Sequence, residues 1–129
     1  MKRASHFFIV LLLSALIFVA KPVMAQDPLE VGPDVYKLVF ENERVRVLEA
    51  HFKVGGKIET HSHPDHFAYV LYPGKMRMSY PDGTSKEVEL RTGDVMWLNA
   101  ETHAGENIGD TEVRLLVVEL KEPQLVKGG

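Results

Sequence analysis

"ETHSHPDHFAYVLYPG", Glu59 to Gly74, decides how the rest of the chain is read. Three of the chain's six histidines, His61, His63 and His66, fall within six positions of it. Alternate residues of a strand share a face, so His61 and His63 project together. Pro64 removes a ladder donor and breaks regular pairing just after them. That break can bring His66 round to the side its parity would otherwise deny it. "FAYVL" (Phe67–Leu71) then resumes as a strand, and Pro73-Gly74 turns it.

Outward from this stretch the pattern stays strand-like. "RVRVLEAHF" (Arg44–Phe52) alternates, with Val45 and Val47 on one face and Arg44 and Arg46 on the other, as in a half-buried strand. "KIETHSH", "KMRMSY" (Lys75–Tyr80) and "SKEVEL" (Ser85–Leu90) are further strand candidates, "VMWL" (Val95–Leu98) is a short apolar strand, and "EVRLLVVEL" (Glu112–Leu120) is the most strongly β-branched segment. "VGG", "PDGT" (Pro81–Thr84), "RTGD" and "NIGDT" punctuate them, and Asp-Gly suits the left-handed residues of a tight hairpin. No stretch beyond the N-terminal leader keeps a helical period for three turns. Many short strands with turn signals between them predict an all-β sandwich or small antiparallel barrel.

The ends set the compartment. Lys2 and Arg3, a weakly polar to apolar run of fourteen residues from Phe7 to Ala20, and Val23-Met24-Ala25 have the layout of a secretory signal peptide. The run is short for a membrane span, which needs about 20 apolar residues. We expect residues 1–25 to be removed after Ala25, giving a periplasmic or secreted protein of 104 residues with no membrane attachment. The expected order is an extended lead-in over 26–34, one domain over 35–120 and a flexible tail over 121–129. Without Lys2, Arg3 and Lys21, twelve basic side chains face eighteen acidic ones, a net charge of −6 that disfavours nucleic acid as a partner. The chain has no cysteine, so disulfides and thiolate chemistry are excluded.

Downstream, "THAGEN" adds His103 on another predicted strand, with Asn107 four positions later. Two close imidazoles plus one or two from elsewhere is a familiar arrangement for a first-row transition metal. Each part has a plainer reading. A His-x-His pair also occurs on solvated strands, His51 reads as a surface or packed histidine, and Met76 and Met78 read as core filling. Arg77 reads equally as solvated or as pointing into a pocket.

The spacing resembles the cupin superfamily, small β-barrels marked by two motifs. Gly55, five residues, then His61-Ser62-His63, closing near Gly74, is similar to the first. Gly93, five residues, Asn99-Ala100-Glu101, Thr102, His103, three residues and Asn107 is similar to the second. The resemblance spans about Val35 to Leu120 and implies a double-stranded β-helix, or jelly roll, with a histidine-held metal in the barrel mouth. The glutamate usual in the first motif is absent: its position falls on Phe67 counting back from Gly74, or on His66 when the "YVL" run is aligned. The implied ligands are His61, His63, His66 and His103, or His61, His63 and His103 with His66 behind them or at the rim. An all-imidazole set suits Zn, Cu, Fe or Ni better than the harder Mg or Ca, and the expected cofactor is one divalent first-row ion, Fe, Zn, Cu, Ni or Mn. In the second motif Asn99 and Glu101 replace the usual proline and glycine.

Glu101, two positions before His103, is a candidate acid or base or an outer partner of a histidine, and equally a solvated loop residue; Tyr69 is a second candidate for proton transfer. Phe67, Tyr69, Met76, Met78 and Trp97 are candidates to wall a pocket for a small organic acid or ring compound. Cupins with such sites include dioxygenases, isomerases, epimerases, decarboxylases and hydrolases. The resemblance therefore implies a metal-dependent enzyme of oxygenase or isomerase type acting on a small organic molecule. The competing expectations are a non-catalytic barrel that captures a small ligand or metal, and a structural barrel with vestigial histidines. A homodimer through the leading strands Val35–Phe40 and Arg44–Phe52 is expected, against a monomer whose lead-in covers its own sheet edge.

Overall fold

A computed structural model describes residues 26–122; the expected leader over 1–25 and the expected tail from residue 123 onward lie outside the described residues. The described chain runs through α1 (Pro28–Val31), β1 (Tyr36–Glu41), β2 (Val45–Phe52), β3 (Lys57–His63), β4 (His66–Tyr72), β5 (Gly74–Ser79), β6 (Ser85–Leu90), β7 (Val95–Leu98), β8 (Glu101–Asn107) and β9 (Val113–Leu120). One sheet has the order β1-β2-β9-β4-β7 and the other β3-β8-β5-β6, with every pairing antiparallel. Two facing antiparallel sheets are what the strand pattern predicts, and their jelly-roll arrangement is what the resemblance implies.

Alternation builds the core between the sheets. Leu48, Ala50 and Phe52 of β2, Ala68 and Val70 of β4, Val113 and Val117 of β9, Met76 of β5 and Leu90 of β6 are all buried. Leu48, Val70 and Val113 are fully enclosed. Removing a side chain of this kind from water stabilises the fold by about 1.5–3 kcal/mol. The inward face of β2 is not the one the Val45/Val47 alternation suggests. Leu48, Ala50 and Phe52 define it, and their parity carries Arg46 inward while Val45 and Val47 face out. An arginine is tolerated there because Glu119 and Asp27 meet its guanidinium.

The turn at Pro81–Thr84 forms, but only Gly83 takes a positive φ, +85°. The Gly83 N–H donates to the Tyr80 carbonyl (3.0 Å), and the Asp82 carboxylate accepts from the Thr84 N–H and hydroxyl (2.8 and 2.6 Å). It is therefore a three-residue hairpin loop ending in a left-handed glycine rather than an Asp-Gly pair that is left-handed throughout. The lead-in is not wholly extended either. Asp27 caps α1 by accepting from the Leu29 N–H (2.8 Å), and Pro28 sits at the first helical position, where a missing N–H does no harm. Among the described residues, no helix is long and apolar enough to cross a membrane.

Candidate metal centre

Two irregularities in β3 and β4 deliver the histidines. A register shift between Ile58 and His61 lets both point inward although they are three residues apart. After His63 the chain crosses at Pro64-Asp65 from one sheet to the other, so alternation restarts and His66 opens β4 facing the same interior. His103 lies directly opposite His61 on the neighbouring strand β8. All four imidazoles are buried, none more than 4% exposed. The ring of His63 lies 4.8 Å from that of His61, 4.7 Å from that of His66 and 5.3 Å from that of His103, centroid to centroid.

Each ring is fixed from behind through its Nδ1. His61 Nδ1 donates to the Glu59 carbonyl (2.8 Å) and His66 Nδ1 to the Pro64 carbonyl (2.8 Å). His63 Nδ1 donates to Glu119 Oε1 (2.6 Å) and His103 Nδ1 to Glu101 Oε1 (2.8 Å). Carbonyls and carboxylates only accept, so the proton of a neutral ring is on Nδ1 and every Nε2 carries a lone pair. His61 Nε2 and His63 Nε2 then face each other at 3.0 Å. Two lone pairs at that distance repel unless a cation lies against both. One donor atom from each of His61, His63 and His103 falls within 4.8 Å of the others. Nitrogens bound about 2.0–2.1 Å from one ion are themselves about 3–3.4 Å apart, so these three rings must close further to share an ion; His66 lies outside this three-histidine group.

Burial works against the charged form of His61, His66 and His103. Burial lowers the His61 pKa to about 4, against partial support from the Glu59 carbonyl. Burial, with the neighbouring imidazoles, lowers that of His103 to about 3, and burial also lowers that of His66. A neutral imidazole is the form that ligates a metal.

Behind His63 lies a feature the sequence did not flag. Glu119, 2% exposed, accepts from His63 Nδ1 and from Arg46 Nε (2.6 Å), and Arg46 also pairs with Asp27. Burial raises the Glu119 pKa, but the hydrogen bonds from His63 and Arg46 outweigh it and hold the carboxyl below its usual range. The charged chain Asp27–Arg46–Glu119–His63 thus runs from the cap of α1 to the centre of the barrel. In the sequence Glu119 looks like a solvated charge closing an apolar strand. Counting inward positions of β9 from Val113 and Val117 would have found it. Tyr36 closes the other side, its hydroxyl 3.5 Å from His63 Nε2; burial and the charge of Glu119 raise its pKa, so it remains a protonated phenol.

Glu101 is an outer partner of His103, partly exposed, with its pKa raised by burial against the pull of Lys86 and His63. Tyr69 is not brought to the cluster. His66, Ala68 and Val70 take the inward positions of β4, so Tyr69 faces outward, 38% exposed, as does Phe67 beside it. Arg77 is outward too, pairing with Glu87 and Glu106. Asn107 is structural: its side-chain amide donates to the carbonyls of Phe52, Lys53 and Thr111 and ties the end of β2 to the β8–β9 loop. His51 pairs with Glu112 at the surface.

Beneath the histidines is a cavity of about 270 Å³ with mainly apolar walls, including Met76, Met78 and Met96; Trp97 only borders it, since its ring is on the outer face of β7 and 57% exposed. Such a site can hold a cation on imidazoles and present it to a small molecule lodged in the barrel.

Residues 48–119 match the cupin domain family, more than half of the chain, and the chain belongs to that family. No curated protein matches it significantly in sequence. Among solved structures it is similar to a cupin domain from Bordetella pertussis, at 28% identity over 68% of this chain and 93% of that one, with a TM-score of 0.64. An RmlC-like cupin with a double-stranded β-helix fold from Methanocaldococcus jannaschii is 14% identical over 73% and 85% of the two chains, TM-score 0.57. The polyketide cyclase RemF from Streptomyces resistomycificus is 24% identical over 67% and 64%, TM-score 0.52. The last two likenesses concern the fold alone.

Proposed function

We propose that this cupin is an exported metalloprotein that holds one divalent first-row transition ion on His61, His63, His66 and His103 and uses it on a small organic molecule, in an oxygenase- or isomerase-type reaction. The observation that carries the reading is the facing pair of Nε2 lone pairs at 3.0 Å, each locked in place by an Nδ1 donor bond behind it. A bound ion of this class supplies Lewis acidity and, for iron, copper or manganese, redox capacity. The protein's own contribution is orientation and exclusion of water: four backed imidazoles, Tyr36 as a buried donor beside His63, and an apolar cavity below. Glu101, at the junction of His103 and the solvent, is the group placed to exchange a proton with the outside.

Export is supported by what the chain does immediately after Ala25. The Gln26 carbonyl accepts from the Ser62 N–H (2.9 Å), and Asp27 caps α1 and holds Arg46, so the expected new N-terminus is built into the barrel beside the histidines. Intact mass of protein from the periplasm tests this; a chain that still begins at Met1 would count against it. A homodimer is supported by the outer face of the five-stranded sheet, where Phe40, Val47, Val118, Phe67 and Trp97 form one continuous row across all five strands.

The test of the metal reading is elemental analysis of protein purified without an affinity His-tag, beside a His61→Ala/His63→Ala double variant. Near-stoichiometric metal that disappears in the variant is expected. No metal in the wild type, even after reloading, would leave a small-ligand-binding barrel as the better reading.

A further inference from the structure

We infer that the cavity takes a small apolar monoanion, and that Lys86 is the residue that selects its charge. This rests on the metal reading above for the position of the ion, but it is carried by different residues. Lys86, Val88 and Leu90 are alternate residues of β6 and all line the cavity, grading from exposed through half-buried to 5% exposed. Ser85, Glu87 and Glu89 take the opposite face, where Glu87 pairs with Lys75 and Arg77. Lys86 therefore occupies an inward position of its strand, at the open end, opposite Met78 of β5. Among the described residues it makes no ion pair within 4 Å, although its charge is felt at Glu101. Its ammonium lies 5.7 Å from the centre of the Tyr80 ring, which in turn stands 6.5 Å from the His103 ring. Cation, aromatic ring and histidine cluster thus follow one another along one wall.

The rest of the wall sets the ligand's body. Phe52, Met76, Leu90, Met96, Leu115 and Val117 offer no hydrogen bonds, so a sugar or other polyol has nothing to replace its water. A dry apolar cavity of about 150 Å³ holds benzene. At about 270 Å³ this one accommodates a single ring with a short substituent. Lys86 is the only lysine or arginine among the lining residues, which argues against a polyanion such as a nucleotide.

Charge balance gives the same answer. Asp27, Glu119 and Glu101 offset Arg46 and a divalent ion, so Lys86, which pulls on Glu101 without pairing with it, leaves the site with one surplus positive charge. A monoanionic ligand, its ring among the methionines and leucines and its charged end between the ion and Lys86, completes the site.

Benzoate and its neutral isostere benzamide, titrated calorimetrically into zinc-loaded and chelator-stripped protein, test this. Loaded wild type is expected to bind benzoate at least tenfold more tightly than benzamide. Lys86→Gln is expected to weaken benzoate about fivefold, near the upper end for a partly exposed ion pair, and to leave benzamide unchanged. Lys86→Arg should restore most of the loss, and as an exposed position both variants should melt like wild type. Zinc uptake with equal binding of the two probes, or a benzoate affinity indifferent to Lys86→Gln, would overturn the inference while leaving the metal reading intact. Failure of zinc to bind, with a Lys86-dependent preference for benzoate persisting in the stripped protein, would do the reverse.

Discussion

Replacing Glu119 by glutamine probes the centre through a residue that is not itself a proposed ligand. The carboxylate gives one acceptor oxygen to His63 Nδ1 and the other to Arg46 Nε, both at 2.6 Å. A glutamine of the same shape has one acceptor and one donor end, so it cannot serve both donors. Arg46 cannot shed its proton, whereas His63 can move its proton from Nδ1 to Nε2. The amide oxygen then stays on Arg46 and the amide N–H donates to His63 Nδ1. His63 Nε2–H would point at His61 Nε2, 3.0 Å away, turning a repulsion into a hydrogen bond.

The consequences differ in size for the two forms of the protein. Metal affinity should fall 10- to 100-fold, the usual loss when an outer partner of a ligating histidine is changed, or about 1.4–2.7 kcal/mol. The metal-free protein should change little. Arg46 loses part of a charge-assisted bond worth about 1.5–3 kcal/mol, and the new His63–His61 bond returns about 0.5–1.5 kcal/mol. For a domain of this size a net 1 kcal/mol is about 4–8 °C in Tm. Competition against a chromophoric chelator for Zn(II) gives the first quantity and thermal melting with chelator gives the second. Nitrogen-15 NMR of the imidazoles reads the tautomer directly. An affinity within twofold of wild type, with His63 still protonated on Nδ1, would refute the reasoning.

Three further outcomes follow from the geometry. In metal-free protein, His61 and His103 titrate near pH 4 and 3 when folded but near the ordinary 6.5 when unfolded, so the unfolded chain takes up protons first. Stability should be level above about pH 7 and fall steadily as pH drops from 6.5 toward 4; a urea midpoint that stays flat or rises between pH 7 and 5 would contradict this. Glu101→Ala should reduce Zn(II) affinity about three- to tenfold, at or below the lower end for an outer partner, because water can reach its partly exposed site and replace it; a loss as large as that of Glu119→Gln would be inconsistent. Tyr69→Phe should leave metal content and any turnover unchanged, since the ring is on the outer face of β4; a lost activity with retained metal would place Tyr69 in the chemistry after all.

Much of the fold was readable because alternation and turn chemistry are local. β3, β6 and β7 fall on the residues the pattern gives, and the remaining strands differ by a residue or two at their ends. The two-motif spacing likewise led to the four histidines, which the fold gathers around one cavity. What could not be read depended on which face of a strand meets the core. Val45 and Val47 look like a buried face, yet β2 turns Arg46 inward, because the partner that makes this tolerable, Glu119, is 73 residues away. Tyr69 looked available for chemistry until β4's inward set was fixed by His66, one residue after a sheet crossing that no periodicity announces. The register shift before His61 is invisible for the same reason: it adds length to one strand of a pair, and a single strand's sequence carries no record of its partner.

The most direct measurement is anomalous diffraction from crystals of the protein reloaded with Co(II) or Zn(II), collected on both sides of the metal's absorption edge. A single strong peak about 2.0–2.1 Å from the Nε2 atoms of His61, His63 and His103, with His66 Nε2 as the fourth donor, is expected. No peak between His61 and His63, or a metal held through Nδ1 with the bonds to Glu119 and Glu101 broken, would contradict the assignment of this cluster as a metal centre.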